Sequence, residues 1–250
     1  MIVKIKRGDK FREYEINVDK NWTILEVLEY IKTKIDSTLT FRASCRSSIC
    51  GSCAMVINGQ SKLACKENIS KNLINNEITI EPLKKFPVIR DLVVDDSKAY
   101  EKLKKVKPYL TPKTPPKNSE FLIKPEEVAS YDKQTDCILC MACYSDCAAL
   151  DVDENYLGPF QFTKTLRFIN DSRDNTPLNE RLDLITKEGN IFECLECQAC
   201  ILACPKGVTP QFDIKKLQNI ALQNGYQNPN PPQNDFNSFN FGGFNEGGFF

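Results

Sequence analysis

The first part of the chain alternates apolar and polar residues in the two-residue period of half-buried strands. VKIKR and EYEINV follow this period, and TILEVLEYIKTKI then changes to helical spacing. Thr23 followed by Glu26 predicts a capping box at the start of that helix. AMVIN and QSKLAC flank Asn58 and Gly59 as a tight hairpin, and EITIEPL predicts a further strand. The pattern indicates a small mixed sheet crossed by a helix.

From about residue 97 the apolar period is helical. SKAYEKLKKVKPYL, PEEVASYD, FTKTLRFIND and FDIKKLQNIALQN predict helices, and Thr209, Pro210 and Gly225 bound the last of them. The proline-rich segment at 109–118 cannot continue a helix, so we expect an extended strap packed on the surface. The fold class predicted is α+β with two domains, residues 1–96 around the sheet and residues 97–225 all helical.

Residues 226–250 are rich in Asn, Gly, Pro and Phe and carry almost no charge. Such a segment lacks the means to form a core of its own, and we expect it to be disordered. The alternative is that its six phenylalanines, from Phe236 to Phe250, become ordered in the groove of a partner.

The composition limits the kinds of partner and metal site that the chain can have. Lys plus Arg equals Asp plus Glu at 33 each, so no excess charge attracts nucleic acid or an anionic membrane. The N-terminus lacks the apolar segment of a secretory signal, and no run of 18 apolar residues predicts a membrane span. With 12 cysteines and no histidine, reduced thiols are available to metal, whereas Cys2His2 zinc sites, Rieske centres and histidine-dependent catalysis are excluded.

The first cysteine group has the spacing of plant-type 2Fe-2S proteins. Four residues separate Cys45 from Cys50, two separate Cys50 from Cys53, and Cys65 follows eleven residues later. Gly51 allows the backbone to approach the cluster sulfides. The alternative is a four-thiolate zinc knuckle, but zinc knuckles usually have two separated CxxC pairs.

Two further groups have gaps of two, two and three residues. Cys137, Cys140, Cys143 and Cys147 form one run, and Cys194, Cys197, Cys200 and Cys204 form the other. In proteins with two such runs, the fourth cysteine of each ligates the other cluster. We therefore predict one 4Fe-4S cluster on Cys137, Cys140, Cys143 and Cys204, and a third cluster on Cys147, Cys194, Cys197 and Cys200.

Three one-electron sites in one chain indicate an electron carrier. The sequence has no GxGxxG fingerprint, no phosphate-binding loop and no nucleophile motif, so no catalytic residue is predicted and no flavin is expected in this chain. The substrate chemistry is expected in other subunits.

Several motifs resemble the iron-sulfur subunit of succinate dehydrogenase and fumarate reductase across about residues 1–225. FRASCRSSICGSCAM, FPVIRDLVVDDS, CILCMACYSDC, RFINDSRDNTPLNERLD and ACPKGVTP occur in the family's order. The resemblance implies a β-grasp 2Fe-2S ferredoxin domain followed by an α-helical ferredoxin domain. It also implies two partners, an FAD-containing flavoprotein that interconverts succinate and fumarate and a membrane-side subunit that handles quinone. Because the sequence shows no export signal, we expect the chain to be peripheral on the cytoplasmic side of the membrane; the alternative is that a signal on the flavoprotein partner carries the folded complex across.

In most of that family the third cluster is 3Fe-4S, on the cysteines that match Cys147, Cys194 and Cys200, and the position of Cys197 is not a ligand. A thiol at this position predicts a second 4Fe-4S cluster, with a lower potential. The alternative is that Cys197 packs as a small apolar residue. Ala148 and Leu195 replace the family's usual Pro and His, and its quinone-facing Trp is missing. This combination resembles the subset whose membrane-side subunit is cysteine-rich with CCG motifs.

The sequence is also consistent with three other functions. One is a related complex that passes electrons to thiol or disulfide chemistry, and another is a free multi-cluster ferredoxin shuttle. A zinc-binding interaction module is the third.

Overall fold

A computed structural model describes residues 1–112, 114, 119–187 and 190–229. Its first part is built on a five-stranded sheet in the order β2-β1-β5-β3-β4. The strands are β1 (Ile2–Arg7), β2 (Lys10–Glu15), β3 (Ala54–Ile57), β4 (Gln60–Leu63) and β5 (Glu77–Glu81). Strand β1 pairs parallel to β5, and the other neighbouring pairs are antiparallel. The predicted mixed sheet and its hairpin are present.

Helix α1 (Ile24–Tyr30) packs its apolar face on this sheet and continues into a π-helical turn at Ile31–Ile35. The Thr23 hydroxyl accepts from the Glu26 amide at 3.3 Å, and the Glu26 carboxylate accepts from the Thr23 amide at 2.6 Å. The predicted capping box is therefore confirmed. A short α2 (Ile69–Asn72) lies between β4 and β5.

A second small sheet was not predicted. Strands β6 (Val88–Arg90) and β7 (Val93–Val94) form a ribbon within the segment FPVIRDLVVDDS. The buried carboxylate of Asp91, between these strands, accepts from Arg7 Nε at 2.9 Å and from the Thr40 amide at 2.9 Å. Asp91 therefore ties this ribbon both to β1 and to the segment that leads into the first cysteine loop.

The second part is helical, as predicted. The helices are α3 (Ser97–Lys105), α4 (Pro125–Ala129), α5 (Asp132–Thr135), α6 (Ala142–Ser145), α7 (Ala149–Val152), α8 (Pro159–Ile169), α9 (Leu178–Thr186), α10 (Ala199–Leu202) and α11 (Pro210–Gln223), with a 3-10 turn at Ile191–Glu193. Helices α8 and α11 pack against each other. Thr209 precedes α11, but its side chain makes no capping hydrogen bond. Among the described residues, no helix is both long and apolar enough to span a lipid bilayer.

The start of the strap is bound to the helical part. The Thr111 amide donates to Asp174 Oδ1 at 2.9 Å, and the Tyr109 carbonyl accepts from Arg181 at 3.1 Å. Residues 113 and 115–118 lie outside the described residues, as do 230–250, on which most of the predicted disordered tail falls. Tyr226, at the start of that segment, donates its hydroxyl to Asp183 at 2.6 Å.

Polar contacts join the two parts at the β3–β4 hairpin. The Ser61 hydroxyl lies 2.8 Å from both the Ser145 hydroxyl and Asp146 Oδ1, and the Ser61 amide donates to Asp146 Oδ2 at 2.9 Å. The Lys84 amide also donates to the Ser145 hydroxyl, at 2.9 Å. Ser145 and Asp146 belong to the second cysteine run, so this junction positions that run against the sheet.

A buried lysine braces the segment between α7 and α8. Lys102 Nζ donates to the Glu154 carbonyl at 2.5 Å, to the Tyr156 carbonyl at 2.7 Å and to the Tyr144 hydroxyl at 3.0 Å. Burial lowers the pKa of Lys102 to about 8 from 10.5. Because the charged form is disfavoured in the folded protein, the folded state releases this proton at lower pH than the unfolded chain does.

We expect stability to rise with pH across this window. Between pH 8 and 10.5 the unfolded chain binds more protons at Lys102 than the folded protein does. The Lys102 contribution to the free energy of unfolding should rise there by an amount on the order of 3 kcal/mol. Urea denaturation of wild type and Lys102→Met at several pH values measures it, and equal slopes in both proteins would contradict the assignment.

Candidate metal centres

The loop group is Cys45, Cys50, Cys53 and Cys65. The first three lie on the loop between α1 and β3, and Cys65 follows β4. Backbone amides donate hydrogen bonds to their sulfurs. Cys45 Sγ accepts from the amides of Ser47, Ile49 and Cys50 at 3.4, 3.3 and 3.2 Å.

The remaining sulfurs of the loop group accept from other backbone amides of the same group of segments. The Ser48 amide donates to Cys65 Sγ at 3.3 Å, and the Cys65 amide donates to Cys53 Sγ at 3.5 Å. Positive φ angles at Arg46, Ser48 and Gly51, of 59°, 57° and 75°, turn successive amides inward. Such a nest of amides binds anions, so the loop fits a negatively charged cluster.

The pKa values of two thiols in this group are shifted in opposite directions. A hydrogen bond with the Ser52 hydroxyl, whose oxygen is 3.1 Å from Cys50 Sγ, is the main cause that lowers the pKa of Cys50 to about 6. Burial raises the pKa of Cys53 to about 12. A bound iron would compensate the burial of the Cys53 thiolate with positive charge.

The inner group is Cys137, Cys140, Cys143 and Cys204. These four cysteines line one cavity together with Phe160, Pro205 and Val208. Cys137 and Cys140 precede α6, Cys143 lies within it, and Cys204 follows α10. Burial raises the pKa of Cys140 to about 11, and it raises that of Cys143 well above its ordinary value, with a further rise from the neighbouring cysteines.

The outer group is Cys147, Cys194, Cys197 and Cys200. They line a second cavity with Tyr156, Leu195 and Ile214. Cys147 lies between α6 and α7, Cys194 and Cys197 precede α10, and Cys200 lies within it. Burial raises the pKa of Cys200 to about 12, and Cys147, Cys194 and Cys197 raise it further.

The structure brings the two cubane-type runs together in the crossed arrangement expected from the sequence. Cys204 of the last run lines the inner cavity, and Cys147 of the middle run lines the outer one. Helices α6 and α10 contact each other, which places the two runs side by side. Cys200 of the outer group also raises the pKa of Cys143 of the inner group, after the larger effects of burial and the nearer thiols. The two cavities are therefore neighbours.

The loop group abuts the inner group at Gly51. A Cβ built on Gly51 would lie 2.8 Å from Cys140 Cβ and 2.9 Å from Cys140 Cα. The absence of a side chain at Gly51 therefore leaves room for Cys140 of the inner group. The cysteine groups consequently lie in the order loop, inner, outer.

Sequence reasoning missed several residues around these groups. The Ser48 hydroxyl lies 3.7 Å from Cys65 Sγ, and the Ser52 hydroxyl lies 3.1 Å from Cys50 Sγ. Their positions between cysteines were the available signal, because short hydroxyl side chains there lie within reach of thiolates. Tyr156, which lines the outer cavity, had no such signal, since eight residues separate it from Cys147 in the chain.

Comparison with known families assigns both parts of the chain. A family described as "2Fe-2S iron-sulfur cluster binding domain" matches residues 3–101, and one described as "4Fe-4S dicluster domain" matches residues 133–208. The predicted α+β two-domain fold and the predicted classes of cofactor, 2Fe-2S and 4Fe-4S, are thereby confirmed.

Similar proteins share both parts. The fumarate reductase iron-sulfur subunit of Mycobacterium tuberculosis is 38% identical over 220 residues, which cover 87% of this chain and 88% of that protein. A mitochondrial succinate dehydrogenase iron-sulfur subunit of Oryza sativa is 38% identical over 216 residues, covering 85% of this chain and 76% of that protein.

A solved structure shows the same fold. It is a chain of the Mycobacterium smegmatis Sdh1 complex in the apo form, which matches with a TM-score of 0.84 at 24% identity and covers 90% of this chain and 97% of that one. With two family matches in chain order and relatives similar over most of their length, this chain belongs to the family of iron-sulfur subunits of succinate dehydrogenases and fumarate reductases.

Proposed function

We propose that this chain relays single electrons between a flavoprotein subunit that interconverts succinate and fumarate and a membrane-side subunit that reacts with quinone. The chain itself is the non-catalytic carrier of an oxidoreductase complex. When bound, the clusters supply one-electron redox sites whose potentials depend on hydrogen bonds and burial. The cysteines hold these sites in sequence, and the middle one is the least exposed at its cysteines.

One observation carries this proposal, namely the exposure of the two ends of the row. Cys50 in the loop group and Cys197 in the outer group are exposed, whereas no cysteine of the inner group is exposed. Electrons therefore have access from a partner at each end and pass through a covered site between them. A shuttle that served a single partner would need only one exposed end.

The crossed groups are our proposed ligand sets. The loop group would hold the 2Fe-2S cluster, the inner group a 4Fe-4S cluster, and the outer group the third cluster. Within the described residues, no three His, Cys, Asp or Glu side chains converge on a point that could hold one metal ion. The inner and outer cysteines instead surround cavities, which suits a cluster whose irons occupy separate corners.

Cys197 is proposed as the fourth ligand of the outer group, which makes the third cluster 4Fe-4S. Its side chain lines the same cavity as Cys147, Cys194 and Cys200, and it raises the pKa of Cys200 together with them. A cysteine that merely packed as a small apolar residue would be buried, yet Cys197 is exposed. Its position thus supports ligation.

The surface around the outer group suits a partner at the membrane side. Leu195, Leu202 and Val152 are 54%, 83% and 75% exposed. Each of them lies within five residues of an outer-group cysteine in the chain, and exposed apolar surface is typical of interaction sites. We propose that this face docks on the quinone-reactive subunit, of the cysteine-rich CCG type, on the cytoplasmic side of the membrane. The alternatives are a related complex that delivers electrons to thiol or disulfide chemistry and a free ferredoxin shuttle.

Co-purification with redox titration tests the proposal. The tagged chain, isolated anaerobically from its own cells, should carry a flavoprotein. Added succinate should reduce at least the 2Fe-2S cluster, which is seen as the appearance of its EPR signal. Fumarate should then reoxidise the fully reduced complex. A chain that isolates alone and responds to neither compound would contradict the proposed function and favour the free shuttle.

A further inference from the structure

Tyr156 places a buried hydroxyl against the outer group without a partner for it. The side chain is 0% exposed, and its Oη has no hydrogen-bond partner among the described residues. A buried, unpaired hydroxyl costs free energy of roughly 1–3 kcal/mol. Such a group calls for an explanation in terms of what it faces.

The hydroxyl faces sulfur. Tyr156 lines the outer cavity with the four cysteines, and after burial its strongest interactions are with Cys194 and then Cys147. A tyrosine hydroxyl carries its proton at neutral pH, and a cysteine sulfur can accept a hydrogen bond. The buried hydroxyl in this cavity is therefore a donor with sulfur as the available acceptor.

The ring is held rigidly in this orientation. Lys102 donates to the Tyr156 carbonyl at 2.7 Å, and the Tyr156 ring packs on Phe162 with centroids 5.3 Å apart. The next residues, Leu157 and Gly158, lead directly into α8. A donor fixed in place by packing and by a buried cation needs little reorganisation when the charge on its acceptor changes.

We propose that the Tyr156 hydroxyl donates a hydrogen bond to the Cys194 sulfur and raises the reduction potential of the third cluster. The inference rests on the proposed function, because it requires a cluster on the outer group. Reduction adds negative charge to the cluster and its sulfurs. A hydrogen bond to them is stronger in the reduced state, so the donor favours reduction.

The role also has a consequence for the row of sites. A fourth thiolate from Cys197 would lower the potential of the outer cluster, and the Tyr156 hydroxyl would oppose that shift. The outer cavity thus contains one side chain that lowers the potential of the third cluster, Cys197, and one that raises it, Tyr156. The potential of the terminal site is then set by the balance of the two.

The test is Tyr156→Phe in the purified complex, with an EPR-monitored redox titration of every cluster. We expect the equilibrium constant for reduction of the third cluster to fall about tenfold, which is about 59 mV for a one-electron couple. The potentials of the other two clusters should stay unchanged. An intact third signal at an unchanged potential would overturn the inference.

A matched control is Tyr131→Phe. Tyr131 is also a buried tyrosine of the helical part, but its hydroxyl accepts from Arg173 at 3.3 Å, and it lines neither cysteine cavity. This variant should leave the third potential unchanged. An equal shift in both variants would mean that loss of packing, not the Tyr156 hydroxyl, sets the potential.

A second measurement decides the case in which Tyr156→Phe fails to assemble the third cluster. Protein labelled with ring-deuterated tyrosine should show a deuterium coupling on the third-cluster signal in pulsed EPR, and its absence would overturn the inference. A wild-type complex with no third-cluster signal at all would instead contradict the proposed function. The two failures are therefore distinguishable.

Discussion

Gly51→Ala is expected to destabilise the protein by roughly 2–5 kcal/mol and to interrupt electron passage from the loop group to the inner group. The added Cβ would lie 2.8 Å from Cys140 Cβ and 2.9 Å from Cys140 Cα. Backbone and a proposed ligand have little freedom to move aside, and the φ of +75° adds strain for any residue with a Cβ. Freeze-quenched EPR of the complex reduced through its flavoprotein measures the passage, and urea denaturation measures the stability.

Gly59→Ala is the matched control. Gly59 has a similar φ of +81°, but a Cβ there would meet nothing within 4 Å. This variant should cost only the backbone strain, about 1–2 kcal/mol, and should leave electron transfer unchanged. If both variants behave alike, the close approach of Gly51 to Cys140 has no role in coupling the two sites.

Arg181→Met is expected to cost about 3–5 kcal/mol, because it leaves a buried carboxylate without its partner. Arg181 and Asp174 are 2% and 4% exposed in their side chains, and Arg181 Nη2 lies 2.7 Å from Asp174 Oδ2. The same guanidinium donates to the carbonyls of Lys107 and Tyr109 at 3.3 and 3.1 Å. Its loss therefore releases the start of the strap as well as the loop before α9.

Urea-induced loss of helical circular dichroism under anaerobic conditions measures this cost. The exposed pair of Lys215 and Glu196, 2.6 Å apart, provides a control, and Lys215→Met should cost less than about 1 kcal/mol. Adding Asp174→Asn to Arg181→Met should restore part of the stability, because the orphaned charge is then removed. A cost for Arg181→Met no larger than that of Lys215→Met would contradict the buried-pair account.

Sequence reasoning succeeded where the determining spacing is short. The gaps within the two cysteine runs span only a few residues, and they predicted the grouping of cysteines that line the inner and outer cavities; Asn58-Gly59 likewise predicted the hairpin. It failed where packing between distant segments decides. The ribbon β6–β7 has strands of three and two residues, too short to show an alternating period, and it is held by Asp91 bonding to Arg7.

The same limit applies around the candidate sites. The contact of Gly51 with Cys140 joins segments that are far apart in sequence, and so does the support of the Tyr156 carbonyl by Lys102. The helical pattern of Ser97–Lys105 predicts only that Lys102 lies on a helix as one of several lysines. Its burial depends on the segment that follows α7, which carries no periodic pattern of its own. Such residues become identifiable only when the fold brings their partners together.

The central claim is that this chain carries three clusters in a row, the last of them held by four thiolates that include Cys197. EPR of the anaerobically purified complex, before and after dithionite, tests it most directly when wild type is compared with Cys197→Ser. We predict an oxidised wild type without a 3Fe-4S signal, two coupled 4Fe-4S signals beside the 2Fe-2S signal on reduction, and an oxidised 3Fe-4S signal that appears only in the variant. A 3Fe-4S signal already present in oxidised wild type and unchanged in Cys197→Ser would contradict it.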